Sequence, residues 1–152
     1  MTRKDKAMQS FKDGYNCAQC MVLAFEDMLT IDVDTALKLA APFGGGMGRL
    51  REVCGSVSGM FMVFGYLKGY SHPDDYENKK DLYAHIQELA RRFEEENGSI
   101  VCRELLGLEV KKENPTPEKR TDAYYKKRPC GELVGCATEI LEAYLKEIAV
   151  EV

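Results

Sequence analysis

Apolar residues along this chain recur every three or four positions, and no run alternates apolar with polar residues as a half-buried strand would. The pattern predicts an all-α fold. Asn16 caps a helix reaching to about Leu29, with Ala18, Val22, Phe25 and Leu29 on one face. Asp32 or Asp34 caps the next, which carries Ala36, Leu37, Leu39 and Ala40 until Pro42 stops it. The glycines at 44, 45, 46 and 48 then form a loop. Residues 53–70 are apolar on almost every side, as a central buried helix requires. The run SHPDD at 71–75 breaks that helix and starts a long amphipathic one, striped by Leu82, Ile86, Leu89 and Phe93 and ended at Asn97-Gly98. A short helix carries Cys102, Leu105 and Leu106 before Gly107. Residues 109–128 are polar, contain Pro115 and Pro117, and read as an exposed excursion with one or two helical turns at most. The last helix follows Pro129 and turns Cys130, Leu133, Val134, Ala137, Leu141, Tyr144 and Ile148 inward. The expectation is a single domain over residues 1–152, a bundle of about six helices around the glycine-containing central one. A chain of 152 residues can bury such a core without crosslinks.

The formal net charge of −4 argues against a general nucleic-acid-binding surface. The first residues, MTRKDKAMQSFKDG, hold no apolar core of a secretory signal, so the reading is cytoplasmic. The longest apolar run, near 57–67, is interrupted by Gly59 and Gly65 and is too short for membrane insertion. Against that ordinary background stand six cysteines: Cys17, Cys20, Cys54, Cys102, Cys130 and Cys136. Without an export signal a disulfide framework loses support, leaving buried bystanders, metal ligands or redox-active thiols. Four of the six fall where helices are predicted to begin: Cys17, Cys54, Cys102 and Cys130. The partial positive charge and free N–H groups of a helix start favour thiolate over thiol. Four such ends converging would build one site from separate helices.

Five blocks carry a resemblance. GYNCAQ (14–19), FGGGMGR (43–49), CGSVSG (54–59), CRELLG (102–107) and CGELVGCATEIL (130–141) follow one another in that order. The chain resembles, from Gly14 to Tyr144, the family of small bacterial redox-active proteins named for the C_GCAxxG_C_C cysteine signature. The resemblance implies that Cys17, Cys54, Cys102 and Cys130 are the signature cysteines, with Cys20 and Cys136 as additions. It places Ser56 where the family usually has alanine. The family is also similar to the non-haem part of split-Soret cytochromes, which implies an iron–sulfur cluster and electron transfer with a redox partner protein. On this reading the four signature cysteines are metal ligands, and Cys17 and Cys54 are the redox-active pair.

Other motifs add less. Gly55 and Gly59, one helical turn apart, let a neighbouring backbone approach, and Cys54 points into the space they leave. GGGMGR lacks the Lys-Ser/Thr ending of a P-loop and no strand precedes it, though the amides of Gly45 and Gly46 with Arg49 could hold an anion or cofactor. CAQC places Cys17 and Cys20 on one helix face, the arrangement of a thiol–disulfide oxidoreductase, without the βαβ context of thioredoxin. Met21 follows where covalent c-type haem attachment needs histidine, so no covalent haem is expected. His72 reads as a loop residue and His85 as a surface helix residue. No ferredoxin-like or zinc-ribbon spacing occurs, so an iron–sulfur cluster and a structural zinc ion on the same four cysteines both stay open. Cys136 lies six residues after Cys130, about 120° round a regular helix, and should face elsewhere. No Ser/His/Asp array or carboxylate pair points to a hydrolase, and apolar helix surface leaves a homodimer open.

Overall fold

The structure is a computed structural model, and it describes residues 1–109 and 112–152. Among the described residues eight right-handed helices carry it: α1 (Arg3–Lys12), α2 (Cys17–Ala24), α3 (Val33–Ala40), α4 (Gly55–Lys68), α5 (Tyr76–Asn97), α6 (Cys102–Leu105), α7 (Asp122–Lys127) and α8 (Cys130–Glu147). The fold is all-α, and no helix among the described residues is long and apolar enough to cross a membrane. The caps follow the sequence. Asn16 and Gln19 form a reciprocal capping box at α2, Asp32 caps α3, Asp75 caps α5, and left-handed Gly98 ends α5.

The most extensive helix contacts pair α1 with α8 and α2 with α4. The second pairing depends on glycine. A Cβ on Gly59 would stand 2.7 Å from Met21 Cβ and 2.9 Å from the Ala18 carbonyl oxygen. One on Gly55 would stand 3.1 Å from Cys17 Cβ. The two helices therefore touch backbone to backbone at the end where both begin with a cysteine. Around this seam Phe25, Met60, Phe64, Leu89, Phe93, Val134, Leu141 and Leu145 form the core.

The structure adds to and corrects the sequence reading. Helix α1, absent from the six expected, is capped by a Thr2–Asp5 box and buries Ala7, Ser10 and Phe11. The helix expected to run to Leu29 stops at Ala24 and passes into a 3₁₀ turn, Glu26–Met28. Arg3 fixes that stop, donating to the Ala24 carbonyl at 2.8 Å and pairing with Asp27 at 2.6 Å. His85 is no simple surface residue: its Nδ1 lies 2.6 Å from the Tyr144 hydroxyl and its ring packs on Phe64.

The glycine loop has a defined form. Gly45, Gly46, Met47, Gly48 and Arg49 all take positive φ, between 63° and 71°, so the chain makes a left-handed helical turn. Left-handed backbone costs an ordinary L-residue about 1–2 kcal/mol, so Met47, Arg49 and Arg51 (φ 58°) sit there against preference. At Gly46 glycine is required twice over, because a Cβ would stand 2.6 Å from Cys102 Cβ. The turn returns the chain to an isolated antiparallel bridge between Val53 and Val101.

A Gly59→Ala variant should lose about 1–3 kcal/mol, since the added methyl has only backbone and Met21 to displace. Gly65→Ala, on the same helix with open space at its Cβ, should gain about 0.5–1 kcal/mol. Urea midpoints at unchanged slope would measure both.

Candidate functional site

Each of the four signature cysteines stands at a helix start. Cys17, Cys102 and Cys130 are the first residues of α2, α6 and α8, and Cys54 is the N-cap of α4. Local hydrogen bonds fix them. The Cys54 amide donates to the Ile100 carbonyl at 2.8 Å and the Cys102 amide to the Glu52 carbonyl at 2.5 Å, so the bridge holds these two segments side by side. Asn16, which caps the helix headed by Cys17, donates to the Ala41 carbonyl at 3.0 Å. Proline at 129 ends the preceding segment directly before Cys130.

All four side chains line one cavity of about 60 Å³, together with Gly45, Gly55 and Ser56. That volume admits a few water-sized groups. Arg51, Arg120, Tyr124 and Arg128 close its other walls. The described part of the excursion, residues 112–128, is thus exposed on its outer side and forms part of the site on its inner side. Arg128 is 7% exposed and Arg51 5%. Arg128 pairs with Glu118 at 2.6 Å; Arg51 pairs with Glu113 at 2.6 Å and donates to the Cys102 sulfur at 3.5 Å.

The other predicted residues separate. Gly45 lines the cavity and its amide faces the Cys17 sulfur. Gly46 packs on Cys102 Cβ, which makes it a spacer. Arg49 is drawn outward, bonding the Asn114 carbonyl at 2.7 Å and Glu113 at 3.3 Å; Arg51 is the arginine at the thiols. Cys20 lies outside the lining, with its sulfur 3.7 Å from the Tyr15 carbonyl oxygen. Cys136 lies outside the lining too, donating to a Glu96 oxygen at 2.9 Å. Ser56, Arg51, Arg128 and Tyr124 were not singled out as site residues from sequence. Nothing local marks Arg51 over Arg49, because the choice is made by backbone handedness.

Thiol electrostatics overturn one expectation. Helix starts were expected to favour thiolate, yet burial pushes the Cys54 thiol up to about 12 and raises Cys102 despite Arg51. Loss of water outweighs a helix terminus when the sulfur is this enclosed. Cys17 and Cys130 are neighbours and move in opposite directions. A hydrogen bond from Cys17 holds Cys130 below the ordinary thiol value, and donating that bond to Cys130, with burial, holds Cys17 well above it. Of the pair, Cys130 is the thiol that gives up its proton more readily and Cys17 the one that keeps it. The Ser56 hydroxyl, fully buried, has no nitrogen or oxygen partner among the described residues and is turned toward the Cys54 sulfur.

All six cysteines are free. Among the described residues no three His, Cys, Asp or Glu side chains are gathered so as to hold a metal ion. The thiols ring the cavity without meeting at one point.

An all-α domain that draws four helix-start cysteines onto one cavity is a cysteine-centred protein. The chain belongs to the family described as "Putative redox-active protein (C_GCAxxG_C_C)", whose model matches residues 15–144. No curated protein and no solved structure matches the chain.

In the reduced, metal-free protein, Cys130 should be alkylated first as pH rises, with Cys54 labelled only near pH 12 or on unfolding. Mass spectrometry of the labelled peptides reads the order. Stability has the matching sign. The folded state keeps the Cys54 proton where the unfolded chain has lost it, so unfolding is favoured as pH rises from 9.0 to about 12. The Cys54→Ser variant should show a flatter decline of urea midpoint over that window.

Proposed function

We propose that the protein is an electron carrier whose redox centre is built on Cys17, Cys54, Cys102 and Cys130, with an iron–sulfur cluster as the group these thiolates would hold. The observation that carries the reading is the shared cavity of four thiols from four separate helix starts. A zinc ion with bonds of about 2.3 Å in a tetrahedron needs sulfurs roughly 3.8 Å apart at one point. Thiols spread around a cavity suit a polynuclear group better than a single ion, so structural zinc has less support. The walls suit an anionic thiolate group as well. Arg51, although paired with Glu113, keeps an N–H directed at the Cys102 sulfur, and the Ser56 hydroxyl offers a donor beside Cys54.

A bound cluster would supply a one-electron couple. The chain's own residues would do the rest. The glycine contacts hold α2 and α4 at a fixed separation, the Val53–Val101 bridge sets Cys54 beside Cys102, and Leu105, Leu106 and Leu133 keep the cavity largely apolar.

The neighbouring Cys17 and Cys130 thiols favour a second reading, a two-electron dithiol–disulfide couple. Cys130 loses its proton more readily than Cys17, as an attacking sulfur should, and Cys17 is the partner with which it would bond. The Cys17–Cys20 pair has less support, because the Cys20 thiol is turned to Tyr15 and lies outside the cavity lining.

Anaerobic purification with iron and sulfide analysis and an absorption spectrum separates these readings. The expected result is iron and sulfide lost in Cys54→Ser and Cys102→Ser and retained in Cys20→Ser and Cys136→Ser. Zinc without iron would overturn the redox centre. A metal-free protein that forms a Cys17–Cys130 disulfide in wild type, Cys54→Ser and Cys102→Ser alike would replace the cluster with the dithiol couple.

A further inference from the structure

The chain is acidic overall, with 25 Asp and Glu against 21 Lys and Arg. The cover of the cysteine cavity is not. The inward side of residues 112–128 is engaged: Glu113 pairs with Arg49 and Arg51, Glu118 pairs with Arg128, and Arg120 donates to the Phe11 and Tyr15 carbonyls at 3.0 and 3.2 Å. On the outward side Lys119, Lys126 and Lys127 are exposed and, among the described residues, form no ion pair. Lys12 is exposed beside them, since its carbonyl accepts the Tyr125 hydroxyl at 3.1 Å. The exposed carboxylates next to these lysines in the chain are Asp122, at the start of α7, and Asp13, which accepts from Gln9 at 3.0 Å; Asp5, in the first turn of α1, and Glu132, in the first turn of α8, are exposed too. Two lysines in the last turn of α7 also suit its dipole, but that accounts for neither Lys12 nor Lys119.

The cavity reaches toward solvent past Tyr124 and Arg120, on the side of Pro115 and Pro117. An open cleft of about 360 Å³ shares Asn16, Gly45, Arg51, Arg120 and Tyr124 with it. Aromatic rings continue the approach. Tyr124 lines the cavity and meets Tyr125 edge-on at 5.5 Å, and Tyr125 meets Phe11 edge-on at 5.9 Å. Arg120 lies 4.3 Å from the Phe11 ring centroid and 5.0 Å from that of Tyr124, which holds the stack together. Electron transfer falls steeply with distance, so a carrier protein has to dock where the buried centre comes nearest the surface.

We infer that the lysine-rimmed face over Tyr124 and Tyr125, formed by Lys12, Lys119, Lys126 and Lys127, docks the acidic surface of a one-electron carrier protein. In each encounter the reduced carrier gives up one electron and the cysteine centre gains it; no atom is transferred. The inference rests on the redox reading proposed above. Charge complementarity sets the choice of partner: opposite charges steer encounter and fix orientation at low salt.

The test uses stopped-flow reduction of the oxidised full chain by two probes, a dithionite-reduced acidic ferredoxin and reduced methyl viologen, a small carrier that needs no protein docking surface. The expected result is a ferredoxin rate that falls with ionic strength in wild type. In the double variant Lys126→Glu/Lys127→Glu, with circular dichroism unchanged, it should fall about tenfold or more at low salt. The viologen rate should stay within about twofold. Equal ferredoxin rates in wild type and variant, or no salt dependence, overturn the docking face while a normal viologen rate leaves the redox reading intact. If viologen reduces neither protein, the redox reading fails and the docking face falls with it. Charge-dependent binding to phosphatidylserine vesicles, with a ferredoxin rate indifferent to the variant, assigns the lysines to a membrane surface instead.

Discussion

The structure depends on the close approach of α2 and α4. Where Gly55 and Gly59 lie against Cys17, Ala18 and Met21, no side chain separates the helices, and both backbones begin within reach of the same space. A larger residue at either position would push the α2 start away from α4. Cys17 would then leave the wall it shares with Cys54, and the core around Met60 and Phe64 would have to follow. Packing and chemistry are set by the same two hydrogens in place of methyl groups.

Around that seam the site is assembled against several local preferences. Met47, Arg49 and Arg51 adopt left-handed backbone, two guanidinium groups are almost fully buried, and a buried serine hydroxyl has no nitrogen or oxygen partner among the described residues. Each feature costs free energy in an ordinary core, and Arg51, Arg128 and Ser56 all line one cavity of about 60 Å³. Strain concentrated where titratable sulfur is concentrated is the pattern of a functional site. The carboxylates that accompany the arginines come from the segment at 112–128, so the charge of the site and the position of its cover are coupled through Glu113 and Glu118.

Much of the helix order was legible because burial leaves a period. The stripe Leu82, Ile86, Leu89 and Phe93 and the near-continuous apolar run of α4 each face the core as their spacing requires. Helix α1 escaped because its stripe is thin, with Ala7 and Phe11 set among charged residues, and only the Thr2–Asp5 box announces it. The start positions of Cys17, Cys54, Cys102 and Cys130 were readable from caps and breakers. Their protonation was not, since it depends on how much water each sulfur loses, which is a property of the closed fold. Arg51 was hidden for a related reason. Arg49 and Arg51 look alike in the chain, and only the left-handed turn decides which guanidinium reaches Cys102. The inner role of Tyr124 and Arg128 lay behind a polar composition that describes the outer surface of their segment accurately.

The bridge between Val53 and Val101 also divides the chain in a way that bears on how such a protein can change over time. It clamps the two ends of a long excursion made of α4, the SHPDD turn and α5, and it does so directly beside Cys54 and Cys102. Whatever happens to the length of α5 beyond its contacts with α8, or to the turn before it, the clamp keeps its ends in register. The distal half of the molecule is thereby free to drift, lengthen or acquire a new surface while the four thiols stay in place.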